Sequence, residues 1–221
     1  LQLYRQAYQC GLKIMLSLTG TPLSAIKFDD KIYHVNLAFD TVIKYLELAE
    51  SDEPDQEEKA IHLFFGDQEL PLDPDFFESS FKLINETITK APYQSNSSMN
   101  FGMQVAPQQL YSYKQDADAI YASFLMQYHI DLLKERGKMH WCVFRALFDG
   151  LKEDTPIQRI IDLRQKNLSE IPDEQRSKIA QLQQYYALKV NKSKAEQDAL
   201  SNNALSAAFN SLFKAAKKGG K

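Results

Sequence analysis

Cysteine is nearly absent from this chain. Cys10 and Cys142 are the only two among 221 residues, and they stand too far apart to suggest a disulfide framework or a C-x-x-C motif. With no secretory signal in view, a reducing cytoplasm is the default compartment. Glycine is scarce too, with eight in all, and none forms a phosphate-cradling loop of the Walker or dinucleotide type. No apolar run approaches the roughly 20 residues that span a bilayer, which argues against a membrane protein. The four histidines, His34, His62, His129 and His140, show no metal-ligand spacing. His140 and Cys142 lie two apart on an expected helix, so their side chains diverge and would not easily share a zinc ion. Neither cysteine has a neighbouring base, and Cys142 beside Trp141 reads as a small core residue. No catalytic constellation, cofactor site or metal site emerges, and the expectation is a non-enzymatic protein.

Strong charge of one sign is missing as well. The net charge is −3 with 25% charged residues, so the whole chain has no broad electrostatic footprint for nucleic acid. The charge is nonetheless uneven. Residues 171–221 hold nine Lys and Arg against four Asp and Glu, a balance of +5 that leaves −8 for residues 1–170. Within residues 50–78, eleven acidic side chains accompany a single Lys59. Such a run reads either as a solvated helix face or as a docking surface for a basic partner. The polarity of the chain also allows head-to-tail self-association, strongest at low salt.

What is present is enough hydrophobic residue, 44%, for a real core, patterned mostly at helical period. The clearest stretch is 111–164. Ile120, Phe124, Tyr128 and Leu132 recur every fourth residue, with Tyr121 and Leu125 beside them, which makes one apolar stripe. Trp141, Phe144, Phe148 and Leu151 make a second stripe, and Ile157, Ile160 and Ile161 a third. Gly137 separates the first pair, while Asp154-Thr155-Pro156 supplies an N-cap followed by proline in the first helical turn. Three short-linked amphipathic helices, 111–168, are expected to pack as one unit.

Earlier in the chain, residues 24–37 switch to period two. Ile26 and Phe28 alternate with polar residues, Asp29-Asp30 suits a tight turn, and Ile32, Tyr33, Val35 and Leu37 favour strand. A hairpin is expected there, packed on helices or pairing its edge with another copy. A helix follows from Phe39, capped by Asp40 or Asn36, then a second over 54–65 and a third over 74–91 with Phe76, Phe77, Phe81, Leu83, Ile84 and Ile88 turned inward. Residues 92–110 read as a linker rich in Ser, Asn, Gln, Gly and Pro. A helix over 172–190 and another over 194–218 close the chain, the last with Leu200, Ala204, Leu205, Ala208, Phe209, Leu212 and Phe213 on one side and a basic tail. The fold class is thus mainly α, a multi-helix bundle-like protein with a small β-hairpin, in segments 1–14, 15–91, 92–110, 111–168 and 169–221.

The run DADAIYASFLMQYHIDL, followed by MHWCVFRALFDGL and TPIQRIIDLR, resembles the bacteriophage gene product 15 family of tailed phages and prophages of Gram-positive bacteria. The earlier piece PLSAIKFDDKIYHVNLAFDTVIKYLEL is similar to that family's hairpin-then-helix signature, and the likeness covers roughly residues 15–168. The Trp-x-x-Phe-x-x-Leu and Ile-x-x-Ile-x-x-Leu-Arg patterns are moderately specific singly; their order and spacing carry the resemblance. Genes of this family lie beside tail-tube and tape-measure genes. The resemblance therefore implies tail morphogenesis in the host bacterial cytoplasm, as an assembly chaperone with the tape-measure and tail-tube proteins as partners. A structural tail or connector subunit and a nucleic-acid accessory protein are the alternatives. Residues 1–14 precede Met15, where the likeness begins, and read either as a fragment boundary or as the junction of a frameshifted long form.

Candidate partner-binding residues are Trp141, Phe144, Arg145, Arg159 and Arg164, of the types that dominate binding hot spots, together with Leu205, Phe209 and Leu212 of the terminal stripe. Trp141 serves equally as a core residue, and Arg159 and Arg164 can pair with Asp162, Glu153 or Asp154 at the surface.

Overall fold

Residues 12–13, 16–51, 53–89 and 110–189 are described by the computed structural model. All of the expected linker but Leu110, and the expected helix from Lys194, lie outside them. The described residues are mainly helical, with seven α-helices and two short two-stranded sheets, which agrees with the fold class read from the sequence. The chain divides into two compact units: 12–13, 16–51, 53–89 and 136–146 form the first, and 110–135 with 147–189 the second.

In the first unit, β1 (Leu12–Lys13) and β2 (Thr21–Pro22) pair in parallel. Next come β3 (Ala25–Phe28) and β4 (Lys31–His34), the expected hairpin, paired antiparallel with Phe28 opposite Lys31 and Ala25 opposite His34. Its two-residue turn places Asp29 and Asp30 at φ 46° and 60°. Left-handed values at both positions match the right-handed twist of the flanking strands. Ile26 and Tyr33 point into the core, while Ile32 points out.

Helix α1 (Phe39–Glu50) follows. Neither Asn36 nor Asp40 is its N-cap. Ala38 holds that position, and the Asn36 carboxamide instead accepts the Ala38 N–H at 3.1 Å while the Asp40 carboxylate accepts the Gly137 N–H at 2.8 Å. Helix α2 (Gln56–Phe65) begins after Asp55, at φ 59°, and stops at Gly66, at φ 62°. Helix α3 (Pro74–Thr89) buries the six apolar residues expected of it. Aromatic rings knit these elements together: Phe76 lies 4.8 Å from Tyr33, 5.2 Å from Phe77, 5.3 Å from Phe28 and 5.7 Å from Phe65, centroid to centroid. Such offset and edge-on pairs add to the area term of burial.

The second unit opens with α4 (Ala117–Tyr128). The apolar stripe suggested a helix running on to Leu132, yet the helix ends at Tyr128. His129 turns left-handed at φ 56°, and its N–H bonds Leu125 O at 3.1 Å, the five-to-one closure of an αL motif, while the Ile130 N–H reaches back to Phe124 O at 3.4 Å. Leu132 is buried all the same, from a turn rather than a helix. Helix α5 (Trp141–Asp149) begins in the first unit and ends in the second. Helix α6 (Pro156–Gln165) packs on α4, and α7 (Asp173–Tyr185) on α6. The chain leaves α7 sooner than expected because side chains capture its main chain. Arg164 donates to Tyr186 O, and the Gln115 carboxamide bonds Ala187 O and Lys189 N–H.

Candidate functional site

The candidate partner-binding side chains of α5 point inward. Trp141 and Phe144 are 2% and 0% exposed, stacked 5.6 Å apart, and Phe144 stacks on Phe39 at 4.9 Å. The Trp141 indole N–H and an Arg145 guanidinium N–H both donate to Ile88 O, at 3.2 and 2.8 Å. That carbonyl lies in the last turn of α3, where the helix dipole favours a cation. Two main-chain bonds, Phe39 N–H to Met139 O and Trp141 N–H to Leu37 O, seat the start of α5 against the start of α1. The potential hot-spot residues of α5 thus hold the first unit together.

His140 completes this junction. Its Nδ1 accepts the Cys142 N–H at 3.2 Å, so Nε2 carries the proton and donates to Leu23 O at 3.0 Å. Burial pushes its pKa below the usual histidine range, with the Leu23 carbonyl pulling the other way. Burial also raises the Cys142 thiol, which keeps it protonated and a poor nucleophile. Tyr45, buried and bonded to Asn85, is pushed up to about 12.

In the second unit Arg164 is buried too. It meets Asp116 at 2.7 and 2.8 Å through two guanidinium nitrogens and donates to Leu110 O and Tyr186 O at 2.8 Å each. Its partner is therefore Asp116 rather than Asp162, Glu153 or Asp154, and Asp162 pairs with Lys166. Arg159 is exposed on α6 and makes no side-chain hydrogen bond or ion pair among the described residues. Leu205, Phe209 and Leu212 lie outside the described residues.

No three His, Cys, Asp or Glu among the described residues gather so as to hold a metal ion, and no described helix is long and apolar enough to cross a membrane. The surface offers two other features. Glu53, Asp55, Glu58, Asp67, Glu69, Asp75 and Glu78 are exposed in the first unit, with Lys59 engaged by Glu53 at 2.6 Å. In the second unit Leu125, Met126 and Leu133 are 43%, 51% and 56% exposed. The sequence set Leu125 in the apolar stripe beside Phe124, yet Leu125 faces solvent while Phe124 is buried; the run Leu125-Met126, next to that buried ring, was the sequence signal of a second apolar set on and just beyond the same helix.

A family model described as Bacteriophage Gp15 protein matches residues 20–188. No curated protein and no solved structure matches the chain. The match takes in both the hairpin signature and the helices after the expected linker, so the chain belongs to the bacteriophage Gp15 protein family, whose character is that of a phage structural or morphogenesis protein.

Proposed function

We propose that this protein is a tail-assembly chaperone that binds the tape-measure protein in the host cytoplasm without catalysing a reaction. The observation that carries the reading is the apolar surface at Leu125, Met126 and Leu133, two leucines and a methionine within residues 125–133 and each more than two-fifths exposed. Exposed large apolar side chains, where they adjoin, mark sites of association, and methionine adapts its shape to varied apolar partners. A tape measure is long, helical and apolar along one side, and such a helix docks on exposed leucine and methionine through positions of helical spacing. Family membership supplies the phage context. Tail-tube subunits, by polymerising around the tape measure, would release the chaperone.

Two measurements on one preparation separate this reading from that of a structural tail or connector subunit. Co-expression with the neighbouring tape-measure protein is expected to give a complex recoverable by affinity purification, and mass spectrometry of purified particles is expected to find the protein absent. Stoichiometric presence in particles contradicts the chaperone reading, as does failure to recover any complex.

A further inference from the structure

We propose that the outer edge of β4 is a docking site for β4 of a second copy of this chain, gated by the carboxamide of Gln68. The register of the hairpin decides which groups are available. Phe28 faces Lys31 and Ile26 faces Tyr33, and Val35 N–H continues the ladder to Ser24 O at 2.9 Å. The odd-numbered residues of β4 thus bond β3, and the alternation of an antiparallel pair turns the main-chain groups of Ile32 and His34 away from it. Ile32 is 60% exposed, and among the described residues nothing bonds its outward N–H and C=O.

His34 shows what the edge accepts. Gln68 Oε1 takes its N–H at 3.1 Å and Gln68 Nε2 donates to its C=O at 2.6 Å. A carboxamide bonded in this way reproduces a peptide group of a neighbouring strand. Two residues along, the edge is closed, because the Asn36 N–H goes to Phe64 O at 2.8 Å. The available edge therefore runs from the turn at Asp30 to His34 and no further.

That length and chemistry select a second β4 as the occupant. Antiparallel pairing about Ile32 sets Ile32 against its twin and brings the turn residue Asp30, whose carboxylate Lys27 holds at 2.8 Å, beside the His34 imidazole of the other copy at both ends. The incoming strand ends at its own turn, before it reaches Asn36. Gln68 must withdraw from His34 to admit it, and its Nε2 keeps a bond to Phe65 O at 2.7 Å that can hold it aside. The gate makes association weak in the native chain and stronger when the carboxamide is removed.

Sedimentation of the full chain over a wide concentration range tests this. Gln68→Ala is expected to dimerise about tenfold more tightly than the native chain, the order of effect of freeing two main-chain groups. Gln68→Met, which keeps the length of the side chain, serves as a second variant should the alanine form fold poorly. Adding Ile32→Pro removes the outward N–H, which the hairpin does not use, together with the exposed isoleucine side chain, and proline is tolerated at such edge positions. The double variant is expected to be monomeric with an unchanged far-UV circular dichroism spectrum. Folded Gln68 variants that associate no more tightly than the native chain overturn the proposal, as does a double variant that dimerises as tightly as the single one.

Discussion

Arg164 stands on α6 in the periodic pattern Ile-x-x-Ile-x-x-Leu-Arg, and nothing in that pattern says that its guanidinium is enclosed. Its side chain and that of Asp116 are 7% and 5% exposed, and the two groups share a bidentate bond. Removing one member of a buried pair strands the other charge, at a cost of about 3–5 kcal/mol, whereas replacing both by apolar groups is far milder. Arg164→Met should therefore lower thermal stability sharply, and the double change Arg164→Met with Asp116→Leu should recover much of it, read by denaturant melts. Ser80 works in the opposite direction. Its hydroxyl is fully buried in α3 and has no hydrogen-bond partner among the described residues, so Ser80→Ala should stabilise the protein by about 1 kcal/mol. His140 gives the fold a pH dependence. Its folded-state pKa is lowered below 6.5, so its contribution is fully present above that value and is lost as pH falls from there through the folded-state pKa. Between pH 7 and pH 5, the native protein should lose stability more steeply than a His140→Gln variant. Equal slopes would remove this histidine from the account.

Elements are where the sequence was most readable. Period-two alternation around Asp29-Asp30 and period-four stripes in α3, α4 and α6 reflect which face is buried, and burial is a repeating property of the sequence itself. Element ends depend on single contacts that no period encodes. Thr155 and Pro156 begin α6 as their types suggested, but Thr155 forms no side-chain cap. The Ile157 N–H is accepted instead by the Ser123 hydroxyl, at 3.0 Å from the neighbouring α4. Ser123 is fully buried and sits three residues from Ile120, where it reads as filler in an apolar stripe. Ser123→Ala should cost about 1–3 kcal/mol, because it leaves the Ile157 N–H buried and unpaired. The end of α4 behaves similarly. A left-handed histidine is strained by about 1–2 kcal/mol relative to glycine, so His129→Gly should raise the melting temperature. A fall would mean that the His129 side chain holds more than its backbone costs.

At the scale of the molecule, class and family were legible, while the long-range hydrogen bonds were not. The order of a hairpin, aromatic-rich helices and the Trp-x-x-Phe stripe carried the family resemblance. Long-range bonds such as Trp141 to Ile88 and Arg164 to Leu110 join residues more than fifty positions apart, and those choices arise only when the chain closes on itself. The candidate binding residues divide on the same ground. Trp and Arg attract attention by type, yet Trp141 and Arg164 are enclosed, while the unremarkable Leu125, Met126 and Leu133 meet solvent. The chaperone account stands on that exposed set. Its most direct test is recovery of the tape-measure protein by co-expressed native chain and by a Leu125→Asp, Met126→Asp variant of matched folded content. The account predicts at least about a tenfold loss of recovered partner in the variant, the consequence of desolvating two carboxylates against an apolar helix; undiminished recovery by a correctly folded variant would contradict it.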